Sequence, residues 1–161
     1  MVAVVALVII VAFALTGCQF IAQKAVESAT GVKVEKNGNG ISVTGKNGAT
    51  AQIGTNQVPD GWPTEVPVYS GTLKAGNKVA GTDGTVYNVV IETADSPKTV
   101  GDFYEKQLGD AGWTKVTRND ATSGGKDMMI FAAKKDTQQT QVTAASDGSG
   151  KTTVTVTVTS K

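Results

Sequence analysis

The chain has 161 residues, 15 Lys and Arg against 14 Asp and Glu, no histidine and a single cysteine. A net charge of +1 without a basic block argues against nucleic acid or a polyanionic partner. The missing imidazole excludes Ser-His-Asp triads and the common zinc and copper sites. With one thiol there is no disulfide within the chain, so a packed core must hold the fold.

Residues 1–17, "MVAVVALVIIVAFALTG", carry no charge and are almost wholly apolar. The run is slightly short for a comfortable bilayer span and reads as a signal peptide. It ends at Leu15, Thr16, Gly17 and Cys18, an apolar residue and two small ones before the only cysteine. These four residues resemble the lipobox of bacterial lipoproteins. The resemblance implies that the Cys18 thiol is diacylglycerated, that cleavage falls just before it, and that Cys18 becomes the mature N-terminus. The first partner is then a membrane, and the location is the extracytoplasmic face of a bacterial cell membrane or envelope. Two acyl chains suffice for stable anchoring, at about 0.8 kcal/mol per buried methylene. No Lys or Arg precedes the apolar run, a departure from the usual positive n-region that points to a translation start upstream of Met1.

Residues 18–30 then form a lipid-anchored tether, as a short helix or extended chain, ending at Gly31. Over 31–56 apolar and polar residues alternate in three short runs. Val32 and Val34, Ile41 and Val43, and Ala51 and Ile53 fall on one face, with Asn37-Gly38, Asn39-Gly40 and Asn47-Gly48 between the runs. Asn-Gly supplies the positive φ of tight hairpins, so the spacing predicts a three-stranded β-meander. Its apolar face is too small to stand alone and must pack on the main domain or a partner. Residues 57–71 are a Pro-rich strap, with Pro59, Pro63 and Pro67 at every fourth position and Trp62 and Tyr69 interleaved. Such a segment is extended and cannot pair continuously in a sheet. Its aromatics serve either as anchors to the core or as a binding surface for glycan or peptide.

Residues 72–161 predict an α+β domain: an antiparallel sheet of about six strands with one helix packed across it. Two β-branched runs flank Thr82-Asp83-Gly84 as a hairpin. A helix follows, with Ser96 as its cap and Pro97 in its first turn. Val100, Phe103, Tyr104, Leu108 and Ala111 lie on one helical face, and Gly112 closes the helix, with Trp113 folding back on the last turn. Four strands complete the chain. Phe103-Tyr104, Leu108 and Gly112-Trp113, preceded by Pro67-Val68-Tyr69, resemble a small domain of bacterial lipoproteins over about residues 58–161. That resemblance implies a fold and no activity.

One motif suggests a nucleotide: in "AASDGSGKTT", Ala145, Gly150, Lys151 and Thr152 match a relaxed Walker A pattern. A phosphate loop must end at a helix N-terminus. Here a Val/Thr alternation follows, so the sequence predicts a hairpin turn and no nucleotide partner. Asp95, Asp102 and Glu105 are the carboxylates available for catalysis, and all three read as solvated charges. Met128 and Met129 read as one outer and one core residue of a strand rather than a metal site. Thr152, Thr153, Thr155, Thr157 and Thr159 read as a solvated strand face. The expectation is a non-catalytic, lipid-anchored binding or accessory module with no metal or cofactor, its partner an envelope protein or glycan. The alternatives are a carboxylate-dependent envelope enzyme and a purely structural surface component.

Overall fold

The computed structural model describes residues 31–37 and 40–161. The signal peptide, the Leu15–Cys18 motif and the tether lie outside the described residues. In chain order the elements are β1 (Lys33–Asn37), β2 (Gly40–Thr44), β3 (Thr50–Thr55), β4 (Thr72–Gly81), β5 (Gly84–Thr93), α1 (Pro97–Asp110), β6 (Thr114–Ser123), β7 (Lys126–Lys135), β8 (Gln138–Ser146) and β9 (Thr152–Ser160).

The strands form one antiparallel sheet ordered β1-β2-β3-β4-β5-β9-β8-β7-β6. The sequence suggests about six strands with a separate meander; the structure corrects this to nine continuous strands. β3 pairs directly with β4, Ala51 opposite Val79 and Gln52 opposite Lys78. Without that pairing β4 would leave a row of backbone groups unpaired, and the meander would be an isolated three-stranded sheet. The chain crosses from β5 to the far edge through α1 and returns by hairpins, so that β9 closes beside β5. At the β6–β7 turn Gly124 and Gly125 have φ of 59° and 74°, the left-handed pair that a two-residue hairpin of this twist requires.

The core lies between α1 and β5, β7, β8 and β9. Val154, Val156 and Val158 face Val142 and Ala144, then Phe131 and Met129, beneath Val100, Tyr104 and Leu108, all of them buried. Ser96 caps the helix by accepting from the Thr99 N–H at 3.2 Å. Gly112 turns left-handed after it, and the Trp113 N–H reaches back to the Leu108 carbonyl at 2.9 Å. Met129 is buried and Met128 exposed.

Two side-chain placements differ from the sequence reading. Thr152 is buried, because it shares the parity of Val154, Val156 and Val158; Thr153 alone of the other threonines is well exposed, and Thr155, Thr157 and Thr159 are half-buried on the opposite face. On the helix, Val100, Tyr104 and Leu108 are buried and Phe103 and Ala111 pack against the same core, as the spacing predicts, but a glycine joins that face. Gly101 is buried on the sheet side and Phe103 is half-buried beside it, turned toward the strap. A Cβ at Gly101 would lie 2.9 Å from Met129 Cγ and 3.1 Å from Arg118 Nη2, so close approach of α1 to β6 and β7 needs glycine there.

Candidate functional site

The strap crosses the helix side of the sheet and its aromatics point inward. Trp62 donates from Nε1 to the Val66 carbonyl at 2.7 Å and meets Tyr87 edge-on, ring centres 6.2 Å apart. Tyr69 is buried against Phe103 at 4.9 Å, in an edge-to-face contact. Its hydroxyl donates to Asp95 Oδ2 at 2.7 Å, and its N–H donates to the Tyr104 hydroxyl at 3.2 Å. Burial and the Asp95 carboxylate push the Tyr69 phenol up to about 12. Burial raises Tyr104 further still. Trp62 and Tyr69 therefore meet different neighbours and do not share one exposed face.

Two of the three carboxylates of α1, Asp102 and Glu105, converge on Arg118, the only arginine in the chain. Its side chain, 15% exposed, binds Asp102 Oδ1 through Nη2 at 2.8 Å, Glu105 Oε2 through Nη1 at 2.7 Å and Asp120 Oδ2 through Nε at 2.9 Å. Lys98 reaches the second Asp102 oxygen at 2.8 Å, and Lys115 the second Glu105 oxygen at 2.7 Å. Three positive and three negative groups thus close into one neutral network joining helix to edge strand. Lys98 and then Arg118 hold Asp102 below the usual carboxylate range, and Lys115 and then Arg118 do the same for Glu105. Glu105, chiefly, raises the Arg118 guanidinium. Asp102 and Glu105 read from the sequence as solvated charges; their side chains are 53% and 36% exposed and are ion-paired as well, which keeps them ionised and ill-suited to donating a proton near neutrality.

The Walker-like segment is a turn built around a carboxylate. Asp147 Oδ1 accepts the N–H groups of Ser149 at 2.7 Å and Lys151 at 3.2 Å, and Oδ2 accepts the Ser149 hydroxyl at 2.7 Å. The donors a phosphate would need already hold an anion. The Lys151 ammonium points away to Glu92 at 3.1 Å, and β9 follows in place of a helix.

A polar groove of about 340 Å³ lies where the strap meets the β7–β8 turn, lined by Thr64, Glu65, Lys135, Asp136, Thr137 and Gln138 among others. Lys135 bridges Glu65 at 2.9 Å and the Ala111 carbonyl at 3.0 Å, tying strap to helix end. Asp136 sits at φ 51°, a left-handed conformation that aspartate tolerates in tight turns. Among the described residues no three Asp, Glu, His or Cys side chains gather as a metal would require, and no helix is long and apolar enough to cross a membrane. The buried Trp113 indole N–H has no partner among them.

Sequence reasoning missed the Arg118 network and this groove. A lone arginine among fourteen lysines was a usable signal, since guanidinium is the group suited to several carboxylates at once. The groove had none, because it forms from segments about seventy residues apart.

The architecture defines an α+β protein in which one helix grips one face of an antiparallel sheet. Residues 73–161, more than half of the chain, match the START domain-like family, and the chain belongs to that family. No curated protein and no solved structure matches it.

Proposed function

We propose that the protein is a lipid-anchored lipoprotein of the bacterial cell envelope, and that its START domain-like unit is a non-catalytic binding or accessory module on the extracytoplasmic face. The observation that carries this reading is the Leu15-Thr16-Gly17-Cys18 motif, which puts the sole cysteine directly after an uncharged apolar run. Three further features support it. Histidine is lacking throughout. Asp102 and Glu105 are committed to Arg118, and Asp95 accepts the Tyr69 hydroxyl. The groove between strap and β7–β8 turn offers hydroxyls, an amide and carboxylates, the donors and acceptors suited to a glycan or a polar peptide segment of the envelope.

Metabolic labelling with palmitate tests the anchor. Wild-type protein incorporates label and partitions into detergent, and Cys18→Ser loses both. Undiminished incorporation in that variant would falsify the lipoprotein reading.

A further inference from the structure

Across the sheet the apolar side changes over. In β5, β7, β8 and β9 the buried residues face α1; in β1 to β3 the registers put Glu35, Ser42 and Gln52 on that side, in line with Lys78 and Tyr87. Val34, Val43, Ala51, Val79 and Val86 fall instead on the reverse side. There Val43 and Ala51 are buried, whereas Val79 is 49% exposed, Val86 40% and Ile53 37%, while α1 and the strap both pack on the other face. The reverse side of β1 to β5 is thus an apolar surface some 19 Å across, four strand spacings of about 4.8 Å, closed at Val43 and Ala51 and open at Ile53, Val79 and Val86.

Its surroundings are basic. Residues 31–56 carry Lys33, Lys36 and Lys46 against Glu35 alone, whereas residues 57–161 carry 11 basic and 12 acidic groups. Lys36 stands on the apolar side, paired with Ile41, whereas Lys33 shares the helix side with Glu35. Lys46 lies against Gly31, where the chain enters the sheet; a Cβ at Gly31 would overlap its side chain. Only residues 19–30 separate that point from Cys18, a reach of about 40 Å at full extension.

We infer that the reverse face of β1 to β5 docks on the anionic lipid surface that holds the anchor, with Val79, Val86 and Ile53 at the headgroup boundary and Lys36 and Lys46 on acidic headgroups. The inference rests on the lipoprotein reading above. Apolar side chains rimmed by lysine are the chemistry of an interfacial contact, and the short tether keeps this end of the sheet beside the bilayer. Docked this way, α1, the Arg118 network and the strap groove face away from the membrane, toward the partners the module would take.

The test uses the full acylated chain in vesicles of phosphatidylcholine, alone or in equal parts with phosphatidylglycerol. With Cys18 acylated, Val79→Cys supplies the one reactive thiol for a fluorophore; Val86→Cys is a second site, and Lys106→Cys on the exposed side of α1 is the control. Nitroxide-bearing lipids should quench the fluorophore at 79 and 86 at least about threefold more than at 106 in anionic vesicles. Adding Lys36→Glu and Lys46→Glu should cut the docked fraction roughly tenfold, since each lysine contributes to binding at an anionic surface. Flotation with equal quenching at 79, 86 and 106 overturns the docking and leaves the anchor standing. A doubled mass in sedimentation with positions 79 and 86 unquenched assigns the face to a second copy and likewise overturns it. Failure of the full chain to float overturns the anchor and the docking together.

Discussion

The two ends of the nine-stranded sheet obey the same alternation and come to opposite arrangements. In β9 every second residue, Val154 to Val158, is fully buried under α1. In the meander the alternating residues Val43 and Ala51 are also buried, yet they sit on the face away from the helix and outside its core. Period-two patterning shows which residues share a side; which side meets the helix is decided by register with the neighbouring strand. One end of the sheet is therefore held by the helix-covered core, and the other by ladder pairing and the small buried pair Val43 and Ala51 outside that core. The difference should appear as unequal sensitivity to substitution.

The largest effect belongs to the helix-covered end. Tyr104 is fully buried, rings with Phe103 and Tyr69, and accepts from the Tyr69 N–H. Tyr104→Ala should cost about 3–5 kcal/mol in urea unfolding, a large share of the stability of a domain this size. Phe103→Ala, half-buried against the strap, should cost about 2 kcal/mol by the same measurement. Equal costs would mean that the helix phase is wrong by a residue.

Arg118→Met comes next, at about 2 kcal/mol near neutral pH. That is below the 3–5 kcal/mol of a fully buried pair, because its carboxylate partners remain open to solvent screening. The pH dependence has a definite sign. Asp102 and Glu105 are lowered in the folded state, so their contribution is present above the unfolded values near pH 4 and is lost as pH falls through the folded ones. The variant should show a shallower acid limb below about pH 4. Some slope should survive, because Lys98 and Lys115 are the first cause of each shift. An unchanged acid limb would assign the network no role in stability.

Much of this architecture was legible in the chain. The Ser96-Pro97 start, the Gly112 stop, the Gly124-Gly125 turn and the Val/Thr strand each carry their own stereochemical signal. The sequence also pointed to the meander but not to its joining the sheet, since strand-to-strand pairing between distant segments leaves no local trace. Helix phase was harder. Gly101 looks like a weak helix residue by propensity, and only the approach of Met129 and Arg118 explains it. The carboxylates at 102 and 105 are solvated as they looked, but their pairing was hidden for a related reason: Arg118 lies thirteen or more residues away on β6. Trp62 and Tyr69 remained ambiguous because an aromatic on an irregular segment reads the same whether it points in or out.

Tyr69→Phe separates strap from helix. The hydroxyl bond to Asp95 contributes about 1 kcal/mol at this half-open site. Because the folded Tyr69 value is raised to about 12, its contribution is complete below the unfolded value near pH 10 and is lost as pH rises toward 12. The variant should lack that part of the alkaline loss and keep the part due to Tyr104. Alkaline unfolding curves that superimpose would show that the phenol at 69 does not titrate with unfolding.

The smallest effect belongs to the meander side, and it makes the sharpest comparison. Val79 has the β-branched shape that suits a strand, but about half of its surface faces away from the helix core. Val79→Thr keeps the branching and the backbone pairing with Ala51 and Val86 and exchanges one methyl for a hydroxyl. In the isolated domain it should therefore cost under about 0.5 kcal/mol. The same exchange at Val156, fully buried between Val89 and Val142, places a hydroxyl in an apolar layer and should cost about 1–3 kcal/mol. Urea unfolding of both variants at one pH measures the ratio. A cost at Val79 as large as that at Val156 would show the reverse face to be a second core rather than an open surface, and with that the contrast between the two ends of the sheet would disappear.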